Sequence, residues 1–161
     1  MGEAIIEDVS DLLPTNDVDQ RAGRQRAILV DVDGTLAIRG KRSPYDWSRV
    51  GEDQPNPAVI ELVQTIMAAG RHRIVVMSGR KEQSRRQTEM WLDAQGIVFD
   101  DLCLRADHDD RPDHKTKADL YRRFVAPRYE VAFVIDDRAS VVRMWRNTFN
   151  LTVCQVADGD F

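Results

Sequence analysis

Asp31-Val32-Asp33-Gly34-Thr35-Leu36 places two carboxylates, one residue apart, directly after the apolar run Ala27-Ile28-Leu29-Val30. Four apolar residues are too few for a free-standing helix and read as a buried strand. Residues i and i+2 of a strand share a face, so Asp31 and Asp33 start out on one side. Gly34 lets the chain turn sharply, and the Thr35 hydroxyl can hold the turn. In an open α/β sheet, ligands bind beyond the carboxyl ends of the strands. A nucleophile, a proton donor and a place for a divalent cation would meet there.

Three further segments supply matching chemistry. Arg73-Ile74-Val75-Val76-Met77-Ser78-Gly79-Arg80 is an apolar strand ending in a hydroxyl, a glycine and a guanidinium suited to phosphate. Asp113-His114-Lys115-Thr116-Lys117 opens a helical pattern and offers two lysines. Val131-Ala132-Phe133-Val134-Ile135-Asp136-Asp137-Arg138 is another strand-like run, ending in adjacent acids. Neighbouring carboxylates repel unless a cation or hydrogen bonds hold them.

In this order the four segments resemble the motifs of the haloacid dehalogenase (HAD) phosphohydrolase superfamily. The resemblance implies a Mg²⁺-dependent phosphatase working through an aspartyl phosphate. Asp31 is then the nucleophile and Asp33 the general acid-base. Ser78, the neighbouring Gly79 amide, Arg80 and a lysine hold the phosphoryl group. The Asp31 carboxylate, the Asp33 backbone carbonyl and the Asp137 carboxylate would ligate Mg²⁺, a hard cation that takes oxygen ligands. Asp136 either orients the site or joins the ligands, and both roles stay open.

A narrower resemblance covers about residues 26 to 161. Arg42-Ser43-Pro44-Tyr45-Asp46, Asn56-Pro57, Val75 to Arg80, Ala126-Pro127, Ile135 to Arg138, Val141 to Arg146 and the closing Gln155 to Phe161 look like the 3′-phosphatase domain of bacteriophage polynucleotide kinase-phosphatase. This likeness adds Arg42 as a substrate or phosphate contact. It makes Lys117 the phosphate lysine, with Asp113 its orienter. Lys115 competes for that role, but Asp113 and Lys117 are four apart and share a helical face. No G-x-x-x-x-G-K-[ST] motif occurs in the chain, so 5′-kinase activity is not expected of it.

The elements that position these residues follow from pattern. From about Arg26, strands alternate with helices expected at Pro57 to Ala69, Lys81 to Gln95, Asp113 to Phe124 and Ala139 to Arg146. Asn56 would be the N-cap of the first, with Pro57 at N1 and Gly70 beyond its end. The expected fold is a Rossmann-like three-layer α/β/α sandwich around a central parallel sheet. Residues 37–54 form a short cap insert after the first strand. A small cap leaves the site open, as the end of a polymer requires. Tyr45 and Trp47 either stack on a terminal base or pack the insert onto the body. Residues 1–25 are polar and acidic and read as a leader or linker, with at most a short helix from Ala4 to Leu13.

The chain has 161 residues, 42% hydrophobic and 31% charged, which suits one domain with a real core. A net charge of −4 argues against a broad nucleic-acid surface. Arg80, Lys81, Arg85 and Arg86 nonetheless suggest a local basic patch. The acids of 107–110 read as a solvent loop. No apolar run approaches the ~20 residues that span a bilayer. Cys103 and Cys154 read as reduced core thiols, which fits a cytoplasmic location.

The expected function is a Mg²⁺-dependent polynucleotide 3′-phosphatase acting on DNA or RNA 3′ ends, with 2′,3′-cyclic phosphate ends a further candidate. A separate kinase and ligase would share its pathway. Two other readings are a HAD phosphatase for a small phosphomonoester or nucleotide, and a catalytically idle binding partner in a repair complex. Homo-oligomerisation is open.

Overall fold

The computed structural model describes residues 23–38, 40–43 and 45–159. The expected leader helix at Ala4 to Leu13 lies outside them. The frame is a five-stranded parallel sheet in the order β5-β4-β1-β6-β7. Its strands are β1 (Gln25–Val30), β4 (Arg73–Lys81), β5 (Asp101–Arg105), β6 (Tyr129–Asp136) and β7 (Val153–Gln155). Four α-helices connect them: α1 (Pro57–Ala69), α2 (Arg85–Ala94), α3 (Asp113–Leu120) and α4 (Ala139–Phe149). A π-helical turn, Tyr121–Val125, extends α3.

The central strand shows why both faces are covered. Ile28 and Val30 point into one apolar layer with Val59, Ile60 and Val63 of α1 and Trp91 and Leu92 of α2. Ala27 and Leu29 point into the other, with Ala118 and Leu120 of α3 and Val141, Val142 and Trp145 of α4. The period of two divides one apolar run between two cores. This is the expected three-layer α/β/α arrangement.

β1 pairs with β4 on one side and β6 on the other. The chain thus reverses its direction of travel across the sheet at β1, and the crevice at such a switch opens above the strand ends. Asp31 follows β1 into that crevice, its N–H donating to the Ile135 carbonyl at 3.0 Å.

Local details depart from expectation in instructive ways. α1 runs as expected, with Gly70 in the left-handed region at φ 63°. The Asn56 side chain makes no capping hydrogen bond, and only its carbonyl joins the helix, accepting from Ile60 N–H at 2.9 Å. The helix expected from Lys81 begins instead at Arg85, because β4 runs on to Lys81 and a 3₁₀ turn, Glu82–Ser84, follows it. The β4–β5 register slips between Ser78 and Lys81, leaving Gly79 and Arg80 as extra residues on the β4 side. A bulge of this kind re-aims side chains beside a site. Cys103 is buried, but Cys154 is exposed rather than in the core.

The insert forms a two-stranded antiparallel ribbon, β2 (Ala37–Ile38) with β3 (Gln54–Pro55), enclosing a 3₁₀ helix at Trp47–Glu52. That 3₁₀ helix packs against α2.

Candidate active site

The loop after β1 is held by its own backbone. Gly34 N–H donates to Ala37 O at 2.7 Å, and Ala37 N–H to Val32 O at 2.8 Å. Gly34 has φ +88°, and a Cβ there would lie 2.0 Å from Asp137 Oδ2. Only glycine lets this loop approach the β6 acids. The Thr35 hydroxyl donates to Asp31 Oδ2 at 2.8 Å and reaches Asp137 Oδ1 at 3.3 Å.

Asp31, Asp136 and Asp137 form one buried cluster, each offering a carboxylate oxygen within 4.8 Å of the others. Lys117 enters it from α3. Its ammonium donates to Asp31 Oδ1 at 2.7 Å and to Asp136 Oδ2 at 3.1 Å, and lies 3.6 Å from Asp113 Oδ2. Lys117 rather than Lys115 reaches the cluster, since Lys115 is exposed. Burial raises the Asp31 carboxyl well above its usual range, Asp136 and Asp137 add to the rise, and Lys117 opposes it. Burial, then Asp136, also raises Asp137. Lys117 goes up against its own burial, drawn by Asp136, Asp31 and Asp113. Three carboxylates thus face one ammonium. The surplus negative charge and the all-oxygen donor set fit a hard divalent cation such as Mg²⁺.

Within the cluster Asp136 differs from its neighbours. Its Oδ2 also accepts from the indole N–H of fully buried Trp145 at 3.1 Å, and its Oδ1 from Asp137 N–H at 2.9 Å. Lys117, Trp145 and the Asp137 amide crowd both of its oxygens. Asp31 accepts from Lys117 and Thr35, and Asp137 is the freer ligand, reached by Thr35 only at 3.3 Å.

Asp33 turns into a separate network. Arg80 Nε donates to Asp33 Oδ2 and its terminal nitrogen to Oδ1, both at 2.9 Å. Arg42 reaches Oδ1 at 3.3 Å, and the Ser78 hydroxyl reaches Oδ2 at 3.3 Å. Behind both guanidiniums lies Asp53, bonded to Arg42 at 2.8 and 2.6 Å and to Arg80 at 2.9 Å. Burial alone would raise the Asp33 carboxyl, but Arg80 and then Arg42 outweigh it and hold it below its usual range. Arg80 is fully buried and also donates to Thr88 at 3.2 Å. Sequence reasoning placed Arg80 on phosphate and in a basic patch. In the structure its guanidinium binds two aspartates. The patch is dispersed, with Lys81 tied to the Asp107 carbonyl and to Asp110, and Arg85 paired with Glu82 and Glu89.

Asp113 is held by Arg105 at 3.2 Å, beside Lys117 and Arg138. Burial would raise its carboxyl, but Lys117, Arg138 and Arg105 bring it below the usual range. Gly79 makes room for it, since a Cβ at Gly79 would lie 2.3 Å from Asp113 Oδ1. The 107–110 segment is no free loop. Asp107 accepts from Gln83 N–H at 2.9 Å, and Asp109 from Thr116 at 3.1 Å.

All ten residues singled out from the sequence therefore lie at the carboxyl end of the sheet: Asp31, Asp33, Arg42, Ser78, Gly79, Arg80, Asp113, Lys117, Asp136 and Asp137. The reading missed Asp53, Arg105 and Trp145. Asp53 had one signal, as an acid at the end of the insert that two buried arginines would require. A cleft of about 560 Å³ opens above this set, between the insert and the 107–111 segment.

Over residues 25–161 the sequence matches the family described as the polynucleotide kinase PNKP phosphatase domain. The chain belongs to that family. It is 35% identical over 133 residues to a protein of Autographa californica nuclear polyhedrosis virus that carries the name of a bifunctional polynucleotide kinase/RNA ligase. That match takes in 81% of this chain and 19% of the viral protein. A solved Pnkp1/Rnl/Hen1 complex contains a chain 33% identical, with a TM-score of 0.82, over 87% of this chain and 48% of that one. A solved Pnkp1/Rnl/Hen1 RNA repair complex gives the same identity and TM-score, covering 45% of its chain. This PNKP-type phosphatase domain thus spans about a fifth of the viral relative and just under half of those two chains.

Proposed function

We propose that the chain is a Mg²⁺-dependent polynucleotide 3′-phosphatase acting in nucleic-acid end repair. The observation that carries the reading is the separation of two neighbouring carboxylates. Asp31 lies in the buried acid–lysine cluster, while Asp33 lies in the arginine clamp at the same cleft. That division supports a reading in which the first attacks phosphorus and the second manages a proton.

In this reading an Asp31 oxygen attacks phosphorus in line and the bond to the leaving 3′ oxygen breaks, giving an aspartyl phosphate. Asp33, ionised in the free protein, would take up the proton that a monoanionic phosphate ester brings, pass it to that oxygen, then take one from the water that hydrolyses the intermediate. Arg80 and Arg42 set the Asp33 carboxylate in place. Lys117 balances charge beside Asp31, and the Ser78 and Gly79 end of β4 lies beside the incoming phosphoryl group. Asp31 and Asp137, with the Asp33 carbonyl, would hold Mg²⁺. When bound, the cation offsets the repulsion between the Asp31 carboxylate and the anionic substrate.

Family membership favours a polynucleotide substrate over a small phosphomonoester. The naming of RNA ligase and RNA repair among the relatives favours RNA 3′ ends alongside DNA. Kinase and ligase steps would come from other domains or proteins. The test is phosphate release from oligonucleotides bearing a 3′-phosphate, a 5′-phosphate or a 2′,3′-cyclic phosphate, beside glycerol phosphate, with Mg²⁺ and with EDTA. Metal-dependent release from 3′ ends is expected, and lost in Asp31→Asn. Turnover of glycerol phosphate alone would overturn the polynucleotide reading.

A further inference from the structure

The cleft is larger than a phosphoryl group needs. At about 560 Å³ it falls in the size range of sites that take whole organic molecules. Asp31, Asp33 and Lys117 line it, and so do Tyr45 and Trp47 of the insert. Tyr45 is 82% exposed, the most exposed large hydrophobic side chain among the described residues, and Trp47 is half-buried. Packing of the insert onto the body does not explain Tyr45, because so little of it is covered.

Its backbone is nevertheless tied locally by hydrogen bonds. Tyr45 N–H donates to the Ser43 hydroxyl at 3.3 Å, and Asp46 N–H to the Ser43 carbonyl at 3.1 Å. Asp46 then caps the 3₁₀ helix that Trp47 opens, accepting from Ser48 N–H at 3.2 Å. Just upstream, Arg42 is anchored to Asp53 and Asp33. The aromatic pair is therefore carried on a segment tied directly to the proposed proton donor. A held backbone bearing an uncovered ring is preorganised for a flat ligand.

Charge narrows the ligand class. The net charge of −4 gives little general attraction for a polyanion. The further cations lining the cleft are already paired, Lys81 with Asp110, Arg111 with Asp109 and Asp119, and Arg105 and Arg138 with Asp113. Grip on a polynucleotide end must come mainly from short-range contact, and stacking supplies it irrespective of base identity.

We infer that Tyr45 and Trp47 form a stacking platform for the base of the 3′-terminal nucleotide of a single-stranded end. The inference rests on the 3′-phosphatase reading and deepens it. A base stacked on protein must leave its neighbour in the duplex, so single-stranded or frayed 3′ ends should be preferred to blunt ones.

The test pairs a protein change with a substrate change. Steady-state kinetics are measured for the wild type, Tyr45→Ala, Tyr45→Phe and Trp47→Ala. The substrates are a 3′-phosphorylated single-stranded oligonucleotide and its twin lacking only the terminal base, and thermal melts check folding. Tyr45→Ala should raise KM on the normal oligonucleotide about 5- to 100-fold with a far smaller change in kcat, and Tyr45→Phe should restore it. Removing the base should weaken the wild type by a similar factor, and the two losses should not add. Equal losses by Tyr45→Ala on both oligonucleotides would overturn the platform, as would an unchanged KM. A wild type active on glycerol phosphate but on no 3′-phosphorylated oligonucleotide would instead overturn the end-repair reading, and the platform with it.

Discussion

Asp31 and Asp33 leave the same strand but meet opposite surroundings. Around Asp31, carboxylates outnumber cations, whereas Asp33 is shared by two guanidiniums. If Asp33 handles the proton, Asp33→Asn should lower kcat about 10²- to 10⁴-fold on a 3′-phosphorylated oligonucleotide. The loss should be much smaller on p-nitrophenyl phosphate, whose leaving group needs no proton. Comparing the two substrates in one assay checks the assignment. The clamp itself should be structural currency for the fold. Asp53→Ala leaves Arg42 and Arg80 buried behind a single partly exposed carboxylate, and urea unfolding should show a loss of about 3–5 kcal/mol. Asp31, Asp33, Asp136 and Asp137 could be singled out because their strand-end motifs, taken in order with the Ser78 and Lys117 segments, resemble those of one superfamily. An acidic strand end alone is too common to do so. Arg80 was legible as a site residue but not as a clamp. Its partner Asp53 is distant in sequence, and burial of an arginine leaves no local pattern.

At the scale of the element, β4 and α3 meet over a single missing side chain. Gly79 admits the Asp113 carboxylate, which in turn sits beside Lys117 one helical turn later. Gly79→Ala should therefore displace α3, lowering stability by about 1–3 kcal/mol in urea melts and phosphatase activity disproportionately. Elsewhere in a strand the same change would be neutral or mildly stabilising. Asp113 also makes folding sensitive to acid. Its carboxyl is depressed in the folded chain by Lys117, Arg138 and Arg105, so its contribution is complete above the unfolded value of about 3.9. That contribution disappears as pH falls through the folded value. Asp113→Asn should be less stable than wild type at pH 7, and chemical unfolding across an acid series should show the two converging below about pH 3.9. The bulge that lengthens β4 was not visible in the sequence. Lys81 to Gln95 carries a helical pattern throughout, and tertiary demand for Arg80 overrode it at the start.

For the molecule as a whole, alternation of apolar runs and helical stripes was sufficient to read the parallel sheet and its two covering layers. Strand order was not readable from those patterns, because each strand looks equally apolar. The order matters for how the chain is made. Central β1 completes its pairing only with β6, where Gln25 meets Tyr129 and Val30 meets Ile135. A ribosome delivers β1 about a hundred residues before β6. Until then one edge of the central strand is open, and contacts this far apart in sequence form slowly. A fragment ending at Ala126 should therefore fail to show a cooperative thermal transition and should aggregate, as light scattering would report. The proposed nucleophile acquires its acidic neighbours at the same step, since Asp136 and Asp137 arrive on the end of that late strand. Within this domain, the acid cluster around Asp31 therefore cannot assemble before β6 has been made and docked.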